Sequence, residues 1–272
     1  MALPRVLSYL RKITVEPVLF SYMLCVFMAF PLIQQLAFKK ICHEKYDDEI
    51  CKNLSKSQED LVHQKTSKWI LYQSVSSTLP SIVASLILGS WSDKVGRKVI
   101  LILPSIGSVL LYINYILNVA FYSLNVKYLL IGVCISGMFG GFATTLLGVF
   151  SYISDITDNS QRTLRVSVLE SMIFLGGTVG NFIGGVLVDN GGFIPAFGLC
   201  LALNVLIILY VSLLLPESYF PQGDQGGNWA LAAVHNHLKA SFQVLTKCRA
   251  QHKRLNLLVI TFGILFFFLL SK

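Results

Sequence analysis

The fold is decided by the stretch Gly89-Ser90-Trp91-Ser92-Asp93-Lys94-Val95-Gly96-Arg97-Lys98. It lies between two long apolar segments and places two glycines, one acid and three cations within ten residues. Gly89 lets a neighbouring helix approach closely, and Gly96 supplies the backbone freedom that a tight turn needs. Asp93 and Arg97 are placed to pair with charges on adjacent helix ends. Because such pairs form in one conformation and break in another, the stretch predicts a conformational latch.

The segments on both sides of this loop are long enough to cross a membrane. Hydrophobic residues make up 54% of the 272-residue chain and charged residues 13%, about half the roughly 25% of a soluble domain. A helical span needs about 20 mostly apolar residues. Six segments meet this requirement, at 18–38, 70–89, 99–119, 128–150, 168–188 and 194–215. A seventh begins near Leu255 and stops at Lys272, so we expect an all-α integral membrane protein with an incomplete seventh span at 255–272.

Ionised side chains are nearly absent from these apolar segments. This distribution is expected of membrane spans, because a charge at mid-bilayer costs several kcal/mol. Of the 14 acidic residues, all but Glu170 fall in loops or at span ends. The net charge of +8 follows from the cations of the cytoplasmic loops. We interpret it as topology and not as an indication of a nucleic acid partner.

The distribution of Lys and Arg predicts a cytoplasmic N-terminus over residues 1–17. That orientation leaves Lys127 as the lone cation on the short outside loops, although the long outside loop at 39–68 carries seven lysines against six acids. It places thirteen cations inside: Arg5, Arg11, Lys12, Lys94, Arg97, Lys98, Arg162, Arg165, Lys239, Lys247, Arg249, Lys253 and Arg254.

The outside loop carries two further signals. Asn53-Leu54-Ser55 is a glycosylation sequon, which is usable only on the lumenal or extracellular side. Cys42 and Cys51 are the cysteines that this orientation places in an oxidising compartment. Cys51 therefore pairs either with Cys42 or with a partner beyond this chain.

A second charged cluster closes the fourth span and opens the fifth. Asp155 is predicted to pair with Arg97 or with the positive end of a neighbouring helix. Arg162 and Arg165 follow it at the start of the fifth span. The alternative is an exposed loop acid that contributes under about 1 kcal/mol.

Small residues and prolines shape the spans. Gly176, Gly180 and Gly184 recur every four residues in the fifth span, which favours close helix packing; a hinge or cavity-lining role is the alternative. Pro31 and Pro80 are expected to kink the first and second spans, freeing carbonyls to line a cavity.

Glu170 is the one acid within an apolar span. Desolvation disfavours its ionised form, so we expect it to take up and release a proton during function. The competing interpretation is a position one turn from the cytoplasmic surface, where Glu170 pairs with Arg162 or Arg165.

The composition changes after the sixth span. Residues 216–254 begin with a glycine-rich polar run typical of a flexible linker. Apolar residues then recur at roughly helical spacing, which predicts either an amphipathic helix on the cytoplasmic face or a solvated linker helix. A six-span bundle, a long connection and a further span are expected of transporters with repeated halves.

The whole Gly89 to Lys98 pattern resembles the signature loop of the major facilitator superfamily. Other residues resemble the proton-coupled folate transporter family over about 16–217. They are Thr66-Ser67-Lys68-Trp69-Ile70-Leu71-Tyr72, Arg162-Thr163-Leu164-Arg165, Val168-Leu169-Glu170-Ser171 and Cys51-Lys52-Asn53-Leu54-Ser55.

This resemblance implies one half of a twelve-helix, proton-driven importer of folate or a related organic anion. It also implies proton coupling at Glu170, glycosylation at Asn53 and a disulfide from Cys51 to the second half. Where the fourth helix of the folate transporter has an arginine and an aspartate, this chain has Val133 and Gly141, so another organic solute is the alternative substrate.

Three functional hypotheses follow. The first is a proton-coupled symporter with protons and a small organic solute as partners, in a plasma, endosomal or lysosomal membrane. The second is a facilitative or lysosomal carrier. The third, motivated by the stop at Lys272, is a regulatory half that binds a full-length homologue or second half without transporting. An enzyme, a metal site and a cofactor are not expected, because the sequence has no metal-ligand cluster, nucleophile arrangement or phosphate-binding loop.

Overall fold

The structure is a computed structural model, and it describes residues 14–52 and 54–218. All regular elements in that part of the chain are helices: α1 (Glu16–Lys45), α2 (Asp48–Lys52), α3 (Lys56–Val95), α4 (Arg97–Ala120), α5 (Tyr128–Met138), α6 (Gly141–Ile156), α7 (Asn159–Gly191) and α8 (Phe193–Leu213).

Within the described residues, six helical segments are long and apolar enough to cross a membrane. Five of these segments are single helices, namely α1, α3, α4, α7 and α8. The remaining segment, the fourth in chain order, consists of α5 and α6 together. The predicted six-span, all-α membrane fold is therefore confirmed. The seventh span predicted at 255–272 and nearly all of the linker predicted at 216–254 lie outside the described residues.

The connection between the first two spans is more helical than predicted. We expected a loop over 39–68, whereas α1 continues to Lys45 and α3 begins at Lys56. The Ser55 N–H donates to Gln58 Oε1 at 3.0 Å, an interaction of the Ser-x-x-Gln capping box that begins a helix.

The first turns of α3 are amphipathic. Val62, Thr66 and Trp69 recur at helical spacing and are buried, while the residues between them are exposed. We expected a loop here because the mean hydropathy of the segment is low. That mean averages over both faces of the helix, so it does not show that one face is buried.

The helices pack mainly around α1 and α4. α1 contacts α3, α7 and α8, and α4 contacts α5, α6 and α8. We call the end that carries Arg97 and Arg165 the basic end, and the end that carries Cys42 and Cys51 the disulfide end. Buried apolar side chains fill the space between the helices along the whole length of the bundle.

The glycines of α7 bring that helix against α1. A Cβ at Gly176 would lie 2.8 Å from the Phe20 carbonyl oxygen, and a Cβ at Gly180 would meet the Leu24 carbonyl. Packing, the predicted default role of these glycines, is what the structure shows.

The fourth span is broken in its middle, which the sequence did not predict. Gly140 and Gly141 have φ angles of +95° and +52°, values that favour glycine. The Ser81 hydroxyl of α3 donates at 2.6 Å to the Gly140 carbonyl, which also accepts the Thr144 N–H, and so joins α3 to the start of α6. Pro31 and Pro80 lie inside α1 and α3, and both helices continue through them.

Candidate functional site

Two predicted latch residues form an ion pair at the basic end. Arg97 Nε donates to Asp155 Oδ2 at 2.8 Å, which joins the first residue of α4 to the last turn of α6. The helix dipole disfavours a cation at a helix N-terminus and an anion near a C-terminus, so the pair offsets two unfavourable placements. The side chains are 14% and 24% exposed, and we expect the pair to contribute roughly 1 kcal/mol.

Glu217 is a member of this cluster that sequence reasoning missed. Its carboxylate accepts the backbone N–H of Arg97 at 2.6 Å and that of Lys98 at 3.3 Å. These N–H groups have no partner within α4, and an anion is stabilising at that end of a helix. The only signal in the sequence is an acid directly after Pro216, where the sixth span ends.

The latch glycines provide room for these contacts. Gly96 has a φ of +117°, and a Cβ there would lie 2.7 Å from the Glu217 carboxyl carbon. A Cβ at Gly89 would lie 3.1 Å from the Leu147 side chain of α6, so the predicted close helix approach is present. Asp93 lies in the last turn of α3, and its side chain is outside the described part of the chain.

The two arginines of α7 extend the cluster to two further helices. Arg162 Nη2 donates to the Ser154 carbonyl of α6 at 2.9 Å. Arg165 Nη2 donates to Glu16 Oε1 of α1 at 2.7 Å. At the basic end, polar contacts therefore connect α1 with α7, α6 with α7, and α4 with α6.

Glu170 lies on a different surface, a polar face of α7. Thr163, Ser167, Glu170, Thr178 and Asn181 recur at intervals of three, four or eight residues, which places them along one side of the helix, and all five are exposed. The glycines that contact α1 lie on another side. We call these five residues the polar face of α7.

A third side of α7 carries exposed apolar residues. They are Leu164, Val168, Leu175, Val179, Phe182 and Val186. Phe174 is also exposed, and it lies within the polar face, four residues from Glu170. The third side suits lipid. On the polar face, the hydroxyls of Ser167 and Thr178 donate to carbonyls of their own helix, whereas Glu170 and Asn181 form no side-chain hydrogen bond within the described residues. Polar groups without hydrogen-bond partners are costly in hydrocarbon, so Glu170 and Asn181 must meet water in a cavity or further polypeptide.

The alternative interpretation of Glu170 is not what the structure shows. Among the described residues Glu170 forms no ion pair, while Arg162 binds a carbonyl and Arg165 binds Glu16. The carboxylate is thus presented to whatever occupies the space beside the polar face of α7.

At the disulfide end, Cys42 and Cys51 form a disulfide with their Cα atoms 6.0 Å apart, within the usual range of such bonds. The last turn of α1 and the short α2 bring the two residues together. Of the two partners that the sequence left open for Cys51, the structure contains Cys42 and not a cysteine of a second half. Asn53, the predicted glycosylation site, lies outside the described residues.

Comparisons of the amino-acid sequence with known proteins identify relatives of this chain. The sequence profile described as Major Facilitator Superfamily matches residues 15–271. A lysosomal proton-coupled steroid conjugate and bile acid symporter of Gallus gallus is 28% identical over 93% of this chain and 58% of its own length. A proton-coupled folate transporter of Rattus norvegicus is 30% identical over 75% of this chain and 46% of its own length. The chain spans about half the length of these curated relatives.

A solved structure shares the fold. The crystal structure of a human organic anion transporter matches with a TM-score of 0.58 and 18% identity, over 89% of this chain and 58% of that one. The resemblance predicted from the sequence is confirmed by these comparisons.

Proposed function

This chain belongs to the major facilitator superfamily, and we propose that it supplies six helices of a proton-coupled symporter for organic anions. The observation that supports the proposal most directly is the position of Glu170 on the exposed polar face of a membrane-spanning helix. The folate transporter and the bile acid symporter, as their names state, are both proton-coupled. Folates and bile acids share an extended ring system and an anionic group, which defines the substrate class that we propose.

Glu170 couples proton uptake to a change of conformation. When it is ionised, the polar face of α7 has to remain hydrated, because burying an unpaired carboxylate is costly. When it is protonated, the face is neutral and can be covered by protein as the cavity closes. The protein then changes readily from exposing its cavity on one side of the membrane to exposing it on the other only after a proton has bound to Glu170.

The polar contacts of the basic end act as the latch. Arg97 with Asp155, and Arg162 with the Ser154 carbonyl, hold the ends of α4, α6 and α7 together, while Gly89, Asp93 and Gly96 shape the turn beside them. Each contact is weak enough to break singly. Opening this end requires that they separate, and closing it restores them.

The basic end faces the cytoplasm in this proposal, and Asn53 faces the lumen or the outside, where it is glycosylated. An acidic compartment on that side supplies the protons. Acidified plasma membrane surfaces, endosomes and lysosomes all meet the requirement, and the bile acid symporter is named as lysosomal.

The test is uptake by the chain in proteoliposomes, with a steroid sulfate as the anion. Uptake should rise when the side of the disulfide end is made acidic, and Glu170→Gln should abolish the dependence on the pH gradient. Asp189→Asn is the matched control, because Asp189 is an exposed acid in the last turn of the same helix. Equal uptake with and without a gradient in the wild-type chain would instead indicate a facilitative carrier.

A further inference from the structure

A polar cleft lies between α1 and α3, toward the disulfide end and apart from Glu170. Its volume is about 670 Å³, in the range of small-molecule sites. Its walls are one stripe of α1 and one stripe of α3, and the side chains that bear on its chemistry are Gln34, Gln35, Phe38, Lys39, Glu59 and His63.

Two amides in this cleft lie where lipid would be unfavourable. Gln34 and Gln35 belong to the apolar first span, and Gln35 is exposed. Neither amide forms a side-chain hydrogen bond within the described residues. Each has two donors and an acceptor to satisfy, so water, a polar ligand or further polypeptide has to meet these amides.

Aromatic rings and titratable groups from both helices also line the cleft. The Phe38 and His63 rings lie with their centroids 4.8 Å apart. His63 Nε2 lies 3.6 Å from Glu59 Oε1. Lys39 also lines the cleft, and its Nζ lies 5.0 Å from the centroid of the Phe193 ring of α8.

We propose that this cleft is an initial binding site for an amphipathic organic anion. The ring system of the ligand lies against Phe38 and His63, the anionic group is bound by Lys39 and by protonated His63, and Gln34 and Gln35 hydrogen-bond its polar substituents. This inference rests on the proposed function, because the ligand is of the class that we propose is transported.

The site is expected to bind more tightly in acid. An imidazole changes charge between pH 5 and pH 8, and the charged groups that line the cleft with His63 are Glu59 of its own helix and Lys39 of α1. The described residues of α4, α5 and α6, which also pack against α3, contribute no lining group. With neutral His63 the charges of Lys39 and Glu59 cancel, and with protonated His63 the cleft is positive.

The test is equilibrium binding of a tritiated steroid sulfate to the full chain in nanodiscs. Binding should be roughly five- to tenfold tighter at about pH 5.5 than at about pH 7.5, the effect of one added charge-assisted hydrogen bond. The uncharged parent steroid should show no such ratio. His63→Gln should remove the pH dependence, and His63→Arg should bind tightly at both pH values.

Lysine variants provide the matched control. Lys39→Gln should weaken binding at both pH values, whereas Lys65→Gln, at an exposed lysine of α3 outside the cleft, should leave it unchanged. An unaltered pH ratio in His63→Gln, or equal binding of the neutral steroid, would overturn the proposal.

The two proposals fail separately. Glu170→Gln should retain the pH-dependent binding while losing proton-driven uptake. If gradient-driven uptake is absent but His63→Gln still removes the pH dependence of steroid sulfate binding, the transport proposal fails and the proposal of a binding site in the cleft is retained. If uptake depends on Glu170 but the His63 variants bind like wild type, the cleft proposal fails alone.

Discussion

At the scale of single residues, Arg97 and Asp155 each carry a charge that the dipole of their own helix disfavours. Each side chain therefore depends on the other, and Glu217 adds the anion that the start of α4 favours. The three charges therefore form one local unit at the basic end.

A double-mutant cycle measures the coupling within this unit. We expect Asp155→Asn and Arg97→Gln to be non-additive by roughly 1 kcal/mol in the free energy of unfolding, with a smaller coupling in high salt. Thermal unfolding in detergent provides the readout. Asp158 is the matched control, because it is an exposed acid near the same arginine cluster and makes no side-chain cap hydrogen bond. Its Asn variant should be additive with Arg97→Gln, and equal coupling in both cycles would contradict the role of Asp155.

The sequence offered Arg97 as one of two candidate partners of Asp155, because both residues interrupt apolar runs at the same predicted membrane face. It did not identify Glu217 or Glu16 as partners. Glu217 lies 120 residues from Arg97 in the chain, and their contact follows from the way the end of α8 is placed beside the start of α4. Such a contact depends on tertiary packing, which charge spacing alone does not contain.

At the scale of helices, the glycines of α7 fix how closely that helix approaches α1. Gly180 and Gly185 belong to the same helix but differ in surroundings. A Cβ at Gly180 would meet the Leu24 backbone, whereas nothing lies within 4 Å of a Cβ at Gly185. The face with Gly180 is an interface, and Gly185 lies outside it.

This difference predicts opposite effects of the same substitution. Gly180→Ala should destabilise the bundle by roughly 1–3 kcal/mol, because backbone yields little to an added methyl group. Gly185→Ala should be neutral or stabilising by up to about 1 kcal/mol, because alanine is the better helix former. Thermal unfolding of the two variants side by side is the measurement. Equal midpoints would show that the interface does not contribute at Gly180.

Hydropathy located the six spans of the described residues but not the ends or interruptions of their helices. The residues around Lys56 were assigned to a loop because polar residues dominate there, although one face of the helix is buried. The break at Gly140 was missed for a related reason. Glycines within an apolar run are typical of close packing, and only the positive φ angles show that the helix ends and restarts.

At the scale of the whole molecule, the asymmetry of positive charge predicts the orientation, because Lys and Arg are retained on the cytoplasmic side. One long segment departs from that asymmetry, the helical connection that carries the disulfide. Its lysines are balanced by acids, and Lys40 is buried with its Nζ 2.9 Å from the Leu124 carbonyl oxygen, so part of this positive charge is occupied in structural contacts.

Cysteine labelling with a membrane-impermeant maleimide tests the orientation. Ser160→Cys and Lys65→Cys place exposed thiols at the basic end and at the disulfide end respectively, in a chain whose Cys248 is replaced by serine. We expect Ser160→Cys to react only after the plasma membrane is opened with digitonin. Lys65→Cys should react on intact cells if the protein is at the plasma membrane, or only after full solubilisation if it is in an organelle. Labelling of Ser160→Cys on intact cells would reverse the orientation and place Glu170 nearer the acidic side, so proton entry would then have to occur from the basic end.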